Sequence, residues 1–207
     1  MPTATDQFGD ALRIAAPDFG VKLSQHQFQK LTKYYELVLK WNPRLHLIAP
    51  CSPEEFATRH VLESLMLLKQ LPVDAKIADI GSGGGLPILP CLLVRDDLQA
   101  TLIESSLKKT VFLKEALRRI VSPQRAQVLA SRFEDTAAPD VGFITCRALE
   151  KFGEMLAALV DWAPPGAAFL LFAGEALRIQ VELKLRSVAV ELIPRSEARF
   201  LITARKE

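Results

Sequence analysis

Asp79-Ile80-Gly81-Ser82-Gly83-Gly84-Gly85-Leu86-Pro87 decides the fold. The run Lys76 to Ile80 leads into it, and Ile88-Leu89-Pro90-Cys91-Leu92-Leu93 leaves it as a second apolar segment. Strand, tight glycine turn and helix in that order make a nucleotide-binding corner. Glycines let backbone N–H groups approach a ligand, and the helix N-terminus adds partial positive charge. A dinucleotide fingerprint spaces its glycines G-x-G-x-x-G. Here Leu86 stands where the third glycine would fall, and the pattern is D-x-G-x-G-x-G. Ala100-Thr101-Leu102-Ile103-Glu104 reads as a second strand ending in an acid, whose carboxylate can accept from both ribose hydroxyls. The non-functional alternatives are a purely conformational turn and a solvated glutamate.

Composition bounds the rest. The chain has 207 residues, 49% of them hydrophobic, which is enough for one large core. A net charge of +2 excludes a strongly basic nucleic-acid coat but not a local basic patch. Cys51, Cys91 and Cys146 have neither metal spacing nor even pairing, so no metal is expected and the expected location is the reducing cytoplasm. Met1 to Asp10 lacks the apolar core of a secretory signal. No run approaches the ~20 apolar residues that span a bilayer, so no membrane partner is expected.

Residues 1–23 read as a mobile or short helical arm. Ser24 and Gln27 form a capping box, and Phe28, Leu31, Tyr35 and Val38 give an amphipathic helix from Ser24 to Trp41. Asn42-Pro43 reads as a helix end. Ser52-Pro53-Glu54-Glu55 opens a second helix to about Leu71. A helical cap, residues 1–74, is thus expected before an α/β domain, 75–207, the two forming one compact unit. Strands are expected at 76–80, 100–104, 126–130, 141–146 and 168–172, and helices at 107–121, 150–162 and 175–185. The alternation implies a mainly parallel sheet with helices on both faces. Strands at 188–193 and 200–203, with no helix between them, imply an antiparallel hairpin at one edge. A dehydrogenase sheet would continue parallel, so Leu86 and the hairpin both argue against an NAD-linked oxidoreductase.

The glycine corner resembles motif I of class I S-adenosylmethionine-dependent methyltransferases, whose fold is this Rossmann-like sheet. A wider pattern joins it: Trp41-Asn42-Pro43-Arg44-Leu45-His46-Leu47-Ile48, Arg59-His60-Val61-Leu62-Glu63-Ser64-Leu65, Asp79 to Pro90, Glu104-Ser105-Ser106 with Lys108-Lys109, Ser131-Arg132-Phe133-Glu134 and Cys146-Arg147-Ala148. Together these residues resemble the RsmG family of bacterial 16S ribosomal RNA (guanine-N7)-methyltransferases. The likeness implies S-adenosylmethionine as cofactor, 16S rRNA or the 30S subunit as partner, a guanosine of the 530 loop as target, and a monomer. Asp79, Gly81, Ser82, Gly83, Gly85 and Leu86 would line the cofactor pocket. Glu104, Ser105 and Ser106 would hold the adenosine, and Phe133 and Glu134 would border adenine. Arg147 would contact cofactor or target base, with Asn42, His60 and Arg132 in positioning roles on the active face.

The chemistry suits this inventory. Guanine N7 carries a free lone pair, so methylation there needs positioning and tolerance of positive charge rather than a general base. The residues also admit bland readings: a core His60, a surface pair Arg132–Glu134, and a solvated basic face from Lys108, Lys109, Lys114, Arg118 and Arg119, which alternatively meets RNA phosphate. Ala173 stands where the family carries lysine, Phe200 where it often has histidine, and His46-Leu47-Ile48 departs from N-L-T. Thr145-Cys146-Arg147-Ala148 lacks the motif of base-amine methylation, and Cys146 and Cys91 read as structural rather than as a C5 nucleophile. The alternatives are a small-molecule O-methyltransferase, with His60 recruited as base, and a non-catalytic RNA- or protein-binding relative.

Overall fold

The computed structural model describes residues 2–147 and 152–206. Ala148 of the arginine motif and the expected helix start at Glu150 lie outside the described residues. The apolar runs become seven strands: β1 (Lys76–Ile80), β2 (Gln99–Ile103), β3 (Ala126–Leu129), β4 (Phe143–Arg147), β5 (Ala168–Gly174), β6 (Arg186–Leu192) and β7 (Arg199–Arg205). They form one sheet in the order β3-β2-β1-β4-β5-β7-β6. The first five run parallel, while β7 pairs antiparallel with both β5 and β6. The expected hairpin is therefore present, with its second strand inserted beside β5. Strand order reverses between β1 and β4, and ligands of open α/β sheets bind at the carboxyl ends of the strands at such a point. The glycine turn leaves β1 there.

Helices cover both faces: α1 (Ala4–Ala15), α2 (Gln25–Leu45), a helical run over 53–69 (α3), α4 (Ile88–Val94), α5 (Leu107–Ile120), α6 (Phe152–Trp162) and α7 (Glu175–Lys184). β1 is buried on both sides: Ile77 joins the core under the cap, and Ala78 and Ile80 join the core of the opposite face.

The N-terminal arm is a packed helix. Thr3 and Asp6 form a reciprocal capping box, and Phe8 and Leu12 are fully buried, with Phe8 stacked on Tyr35. The helix opened by Ser24 does not stop at Trp41. It runs through Asn42 and Pro43 to Leu45, where His46 turns left-handed at φ 48°. Proline removes a single bond there, in the last turn, and the turn is closed instead by Asn42 Oδ1, which accepts from Ile48 N–H at 3.0 Å. The α3 run is irregular. Its Phe56–Leu62 segment is a π-helix, and Glu63 N–H reaches back to Thr58 O. Such widened turns recur at functional sites, and this one carries Arg59 and His60 just before Glu63.

The cap packs directly on the glycine turn. Tyr34, fully buried, donates its hydroxyl to Gly84 O at 2.7 Å, Gln27 donates to Val94 O at 2.7 Å, and Leu47 Cβ lies 3.4 Å from where a Gly84 Cβ would stand.

Candidate active site

Two cavities open at the carboxyl ends of the strands. The first, about 170 Å³, is lined by Ile80, Gly81, Ile103, Ser105, Ser131, Arg132, Phe133, Glu134 and Met155. Its geometry follows from the turn. Gly81 adopts φ 68° and Gly85 φ 83°. A Cβ on Gly85 would lie 2.1 Å from Leu89 Cδ1, so the turn can close onto α4 only with glycine there. The N–H groups of Gly81 and Ser82 donate to Ile103 O, tying the turn to the end of β2.

Glu104 completes the turn. It is 7% exposed; Oε2 accepts from Gly83 N–H at 2.8 Å and Oε1 from Ser106 N–H at 2.7 Å. This carboxylate therefore braces the glycine turn and the N-terminus of α5 together. Each oxygen retains a further lone pair toward a ligand. Asp79 is wholly buried, and both its carboxyl oxygens lack hydrogen-bond partners. Burial raises its pKa well above the ordinary carboxylate value. Ser82 donates to the Asp79 backbone carbonyl at 3.0 Å. Phe133 stands edge-on to Trp162 at 5.5 Å, and Trp162 is fixed by its bond to Thr136 O. An apolar slot of Ile80, Ile103, Phe133 and Met155, small residues at the turn, and a polar rim of Ser131 and Glu134 suit an adenosine group.

The second cavity, about 220 Å³, lies at the seam of cap and sheet, lined by Arg59, Glu63, Arg147, Phe172, Ala173, Gly174, Ile193 and Arg199. Glu63 is 1% exposed. Its Oε2 accepts from Arg147 at 3.1 Å and its Oε1 from Arg199 at 2.7 Å. Arg147 also donates to Arg59 O at 2.6 Å and places its guanidinium 5.3 Å from the Phe172 ring centroid. Burial raises the Glu63 pKa while the neighbouring guanidiniums oppose it. Both oxygens accept guanidinium N–H bonds, the arrangement of an ionised carboxylate.

His60 sits on Phe56 at 5.3 Å with a buried, unpartnered Nδ1. Burial, reinforced by Arg147, Arg59 and Arg199, pushes its pKa down to about 3.

The structure thus gathers Gly81, Ser105, Arg132, Phe133 and Glu134 around one cleft and sets Arg147 in the other. Asn42 lines neither cavity and shapes the loop that touches Gly84. Leu86 is buried in the core beneath the cap. Arg132 pairs with Glu134 at 3.4 Å, the surface pair of the bland reading. On the basic face, Arg118 and Arg119 are paired with Glu115. Cys91 is buried, donates to Ser64 O, and has its thiol pKa raised by burial. Sequence reasoning missed Glu63, Arg59 and Arg199. Glu63 and Arg59 sat inside a quoted motif without a role, and nothing local marks Arg199, which meets Glu63 across 136 positions. Among the described residues there is no cluster able to hold a metal ion, and no helix is long and apolar enough to cross a membrane.

Comparison with known proteins agrees with this geometry. A family model described as rRNA small subunit methyltransferase G matches residues 27–206. The ribosomal RNA small subunit methyltransferase G of Pelotomaculum thermopropionicum is 29% identical over 89% of this chain and 82% of its own length. That of Xanthomonas campestris pv. campestris (strain B100) is 36% identical over 70% of this chain and 68% of its own. Among solved structures, the B. subtilis M1A22 tRNA methyltransferase TrmK superposes with a TM-score of 0.57 at 16% identity, over 70% of this chain and 65% of its own. A SAM-dependent methyltransferase from Aquifex aeolicus gives 0.55 at 17%, over 70% and 89%. At these identities the structural likeness speaks for the fold, which is the class I methyltransferase sheet.

Proposed function

This chain belongs to the rRNA small subunit methyltransferase G family, and from that premise we propose that it methylates N7 of a guanosine in the 530 loop of 16S ribosomal RNA, acting as a cytoplasmic monomer on the RNA or the 30S subunit. It is an S-adenosylmethionine-dependent enzyme. When bound, the cofactor supplies an electrophilic methyl group on a sulfonium. Gly81 and Ser105 would face it at the turn, Glu104 would accept from the ribose, and Phe133 and Glu134 would border adenine.

One observation supports N7 over a hydroxyl or exocyclic amine: the described carboxyl groups and the histidine near the two cavities are each buried or already paired. Asp79 is buried with its pKa raised, Glu104 is held by two amides, Glu63 by two arginines, and Glu134 pairs with Arg132. His60 is held near pKa 3, too weak a base to take a proton from a hydroxyl at neutral pH. An acceptor that must lose a proton is poorly served. Guanine N7 would offer its lone pair to a methyl that the bound cofactor would release on departing as a neutral thioether, so no side chain would have to move a proton. The protein then contributes alignment. Arg147, set in the seam cavity away from the glycine-turn cleft, would act on the RNA side, and its loss is expected to lower kcat.

Mass mapping of 16S rRNA from a deletion strain tests the reading. The 530-loop 7-methylguanosine should disappear and return with the cloned gene; an unchanged inventory would overturn it. A small-molecule O-methyltransferase would instead consume labelled cofactor with metabolite pools and leave 30S subunits untouched.

A further inference from the structure

The seam cavity is more cationic than its architecture requires. Glu63 is the buried anion; Arg147 and Arg199 pair with it from a strand end and the edge hairpin, and Arg59, whose carbonyl accepts from Arg147, lines the cavity from the π-helical turn. Arg59 has its own partner, Glu55, at the exposed rim. The pairing leaves N–H groups over: Arg147 is almost wholly buried, with one terminal nitrogen unpartnered, and the Arg199 Nε is unpartnered as well. A buried donor without an acceptor is costly, so the cavity is built for an acceptor that arrives from outside. Arg199 is 37% exposed and Arg147 12%, which makes Arg199 the member of the pair that an incoming ligand reaches first. The cavity, about 220 Å³, has room for a phosphate group, whose oxygens match guanidinium forks.

We infer that this cavity is a phosphate subsite, separate from the glycine-turn cleft, in which Glu63 is an internal counter-anion and Arg199 turns from Glu63 to an incoming phosphate. The natural occupant is a backbone phosphodiester of the RNA, a step that rests on the proposed function; the subsite itself rests on the arginines alone. His60, uncharged beside them, does not compete for the phosphate.

The guanidinium Nε–H signals of the full chain, followed by nitrogen-resolved NMR during titration with inorganic phosphate, test this directly. Phosphate should shift the Arg147 and Arg199 signals saturably. Arg199→Gln should weaken phosphate binding about tenfold while S-adenosylhomocysteine binding is unchanged. Glu63→Gln should strengthen it several-fold, since a like charge is removed. A short 530-loop hairpin should displace the phosphate, and Arg199→Gln should reduce the salt slope of hairpin binding by about one. Absent shifts, an Arg199→Gln protein that binds phosphate normally, or weaker binding by Glu63→Gln would each overturn the subsite. Phosphate binding by a protein that leaves 16S rRNA unmethylated would keep the subsite and overturn the RNA reading. Methylation without phosphate binding would do the reverse.

Discussion

The two cavities at the top of the sheet are made of different materials. The glycine-turn cleft is backbone and apolar side chain: positive-φ glycines, amides tied to Ile103 O, and the ring of Phe133. The seam cavity is charge: guanidiniums from two strands on one buried carboxylate, with a third arginine lining the rim. The first is assembled from short stretches at successive strand ends, each with its own local signature. The second exists only after the cap has docked on the sheet. Their weaknesses should differ accordingly, a steric failure in one and an electrostatic failure in the other.

The largest effect is expected at Glu63. Glu63→Ala leaves Arg147 buried beside Arg199 with no anion, and breaking one side of a buried pair costs about 3–5 kcal/mol. Urea unfolding should show that loss. Replacing Glu63, Arg147 and Arg199 together with apolar residues of similar volume should cost much less, because no charge is then stranded. A triple variant as unstable as Glu63→Ala would mean that packing rather than charge holds the seam.

Gly85→Ala comes next. The new methyl would meet Leu89 at 2.1 Å, on a backbone at φ 83° that L-residues disfavour. Strain and overpacking together should cost about 3 kcal/mol and abolish S-adenosylhomocysteine binding, read by calorimetry. Adding Leu89→Ala should recover part of the stability, because it relieves the clash but not the dihedral. Full recovery would show that space alone demanded the glycine.

The same contrast explains what the sequence revealed. Asp79 to Pro87 could be read because a strand, a turn and a helix are local events with local signatures, and Glu104 because it ends the next apolar run. The edge hairpin was legible from two β-rich runs with no helix between them. The packed N-terminal helix has a local signal of its own, Thr3 three residues before Asp6. The passage of α2 through Pro43 had no such signal, since the missing N–H falls in the last turn, where Asn42 closes the chain instead. Glu63 and Arg199 were invisible as partners because their meeting depends on the register that sets Gly174 opposite Arg199. Arg147, read as a contact to cofactor or target base, has its guanidinium turned toward the cap by Glu63 and by the Arg59 carbonyl.

A pH profile sharpens the electrostatic half of the comparison. His60 has its pKa lowered to about 3 in the fold, against 6.5 when unfolded. The unfolded chain therefore binds the proton first, and stability present above pH 6.5 is lost as pH falls toward 3. Between pH 7.5 and 5.5 this residue alone should remove about 1.4 kcal/mol. His60→Gln should flatten that part of the curve in urea titrations at several pH values. A wild-type curve that stays level over the same range would mean that the seam admits a charged histidine, and hence more water than its burial implies.

The smallest expected effect comes from a pair of the same chemistry in the other cavity. Arg132 and Glu134 stand 3.4 Å apart at the rim of the glycine-turn cleft, but the arginine side chain is 66% exposed. Water already solvates both charges, so the ion pair contributes little. Arg132→Ala should shift stability by less than ~0.5 kcal/mol, roughly a tenth of the Glu63→Ala loss. S-adenosylhomocysteine affinity should fall only about threefold, because Glu134 keeps its place beside Phe133 and loses only an orienting neighbour. If Arg132→Ala instead destabilised the protein as strongly as Glu63→Ala, exposure would not be what separates the two cavities. The glycine-turn cleft would then be as dependent on charge as the seam.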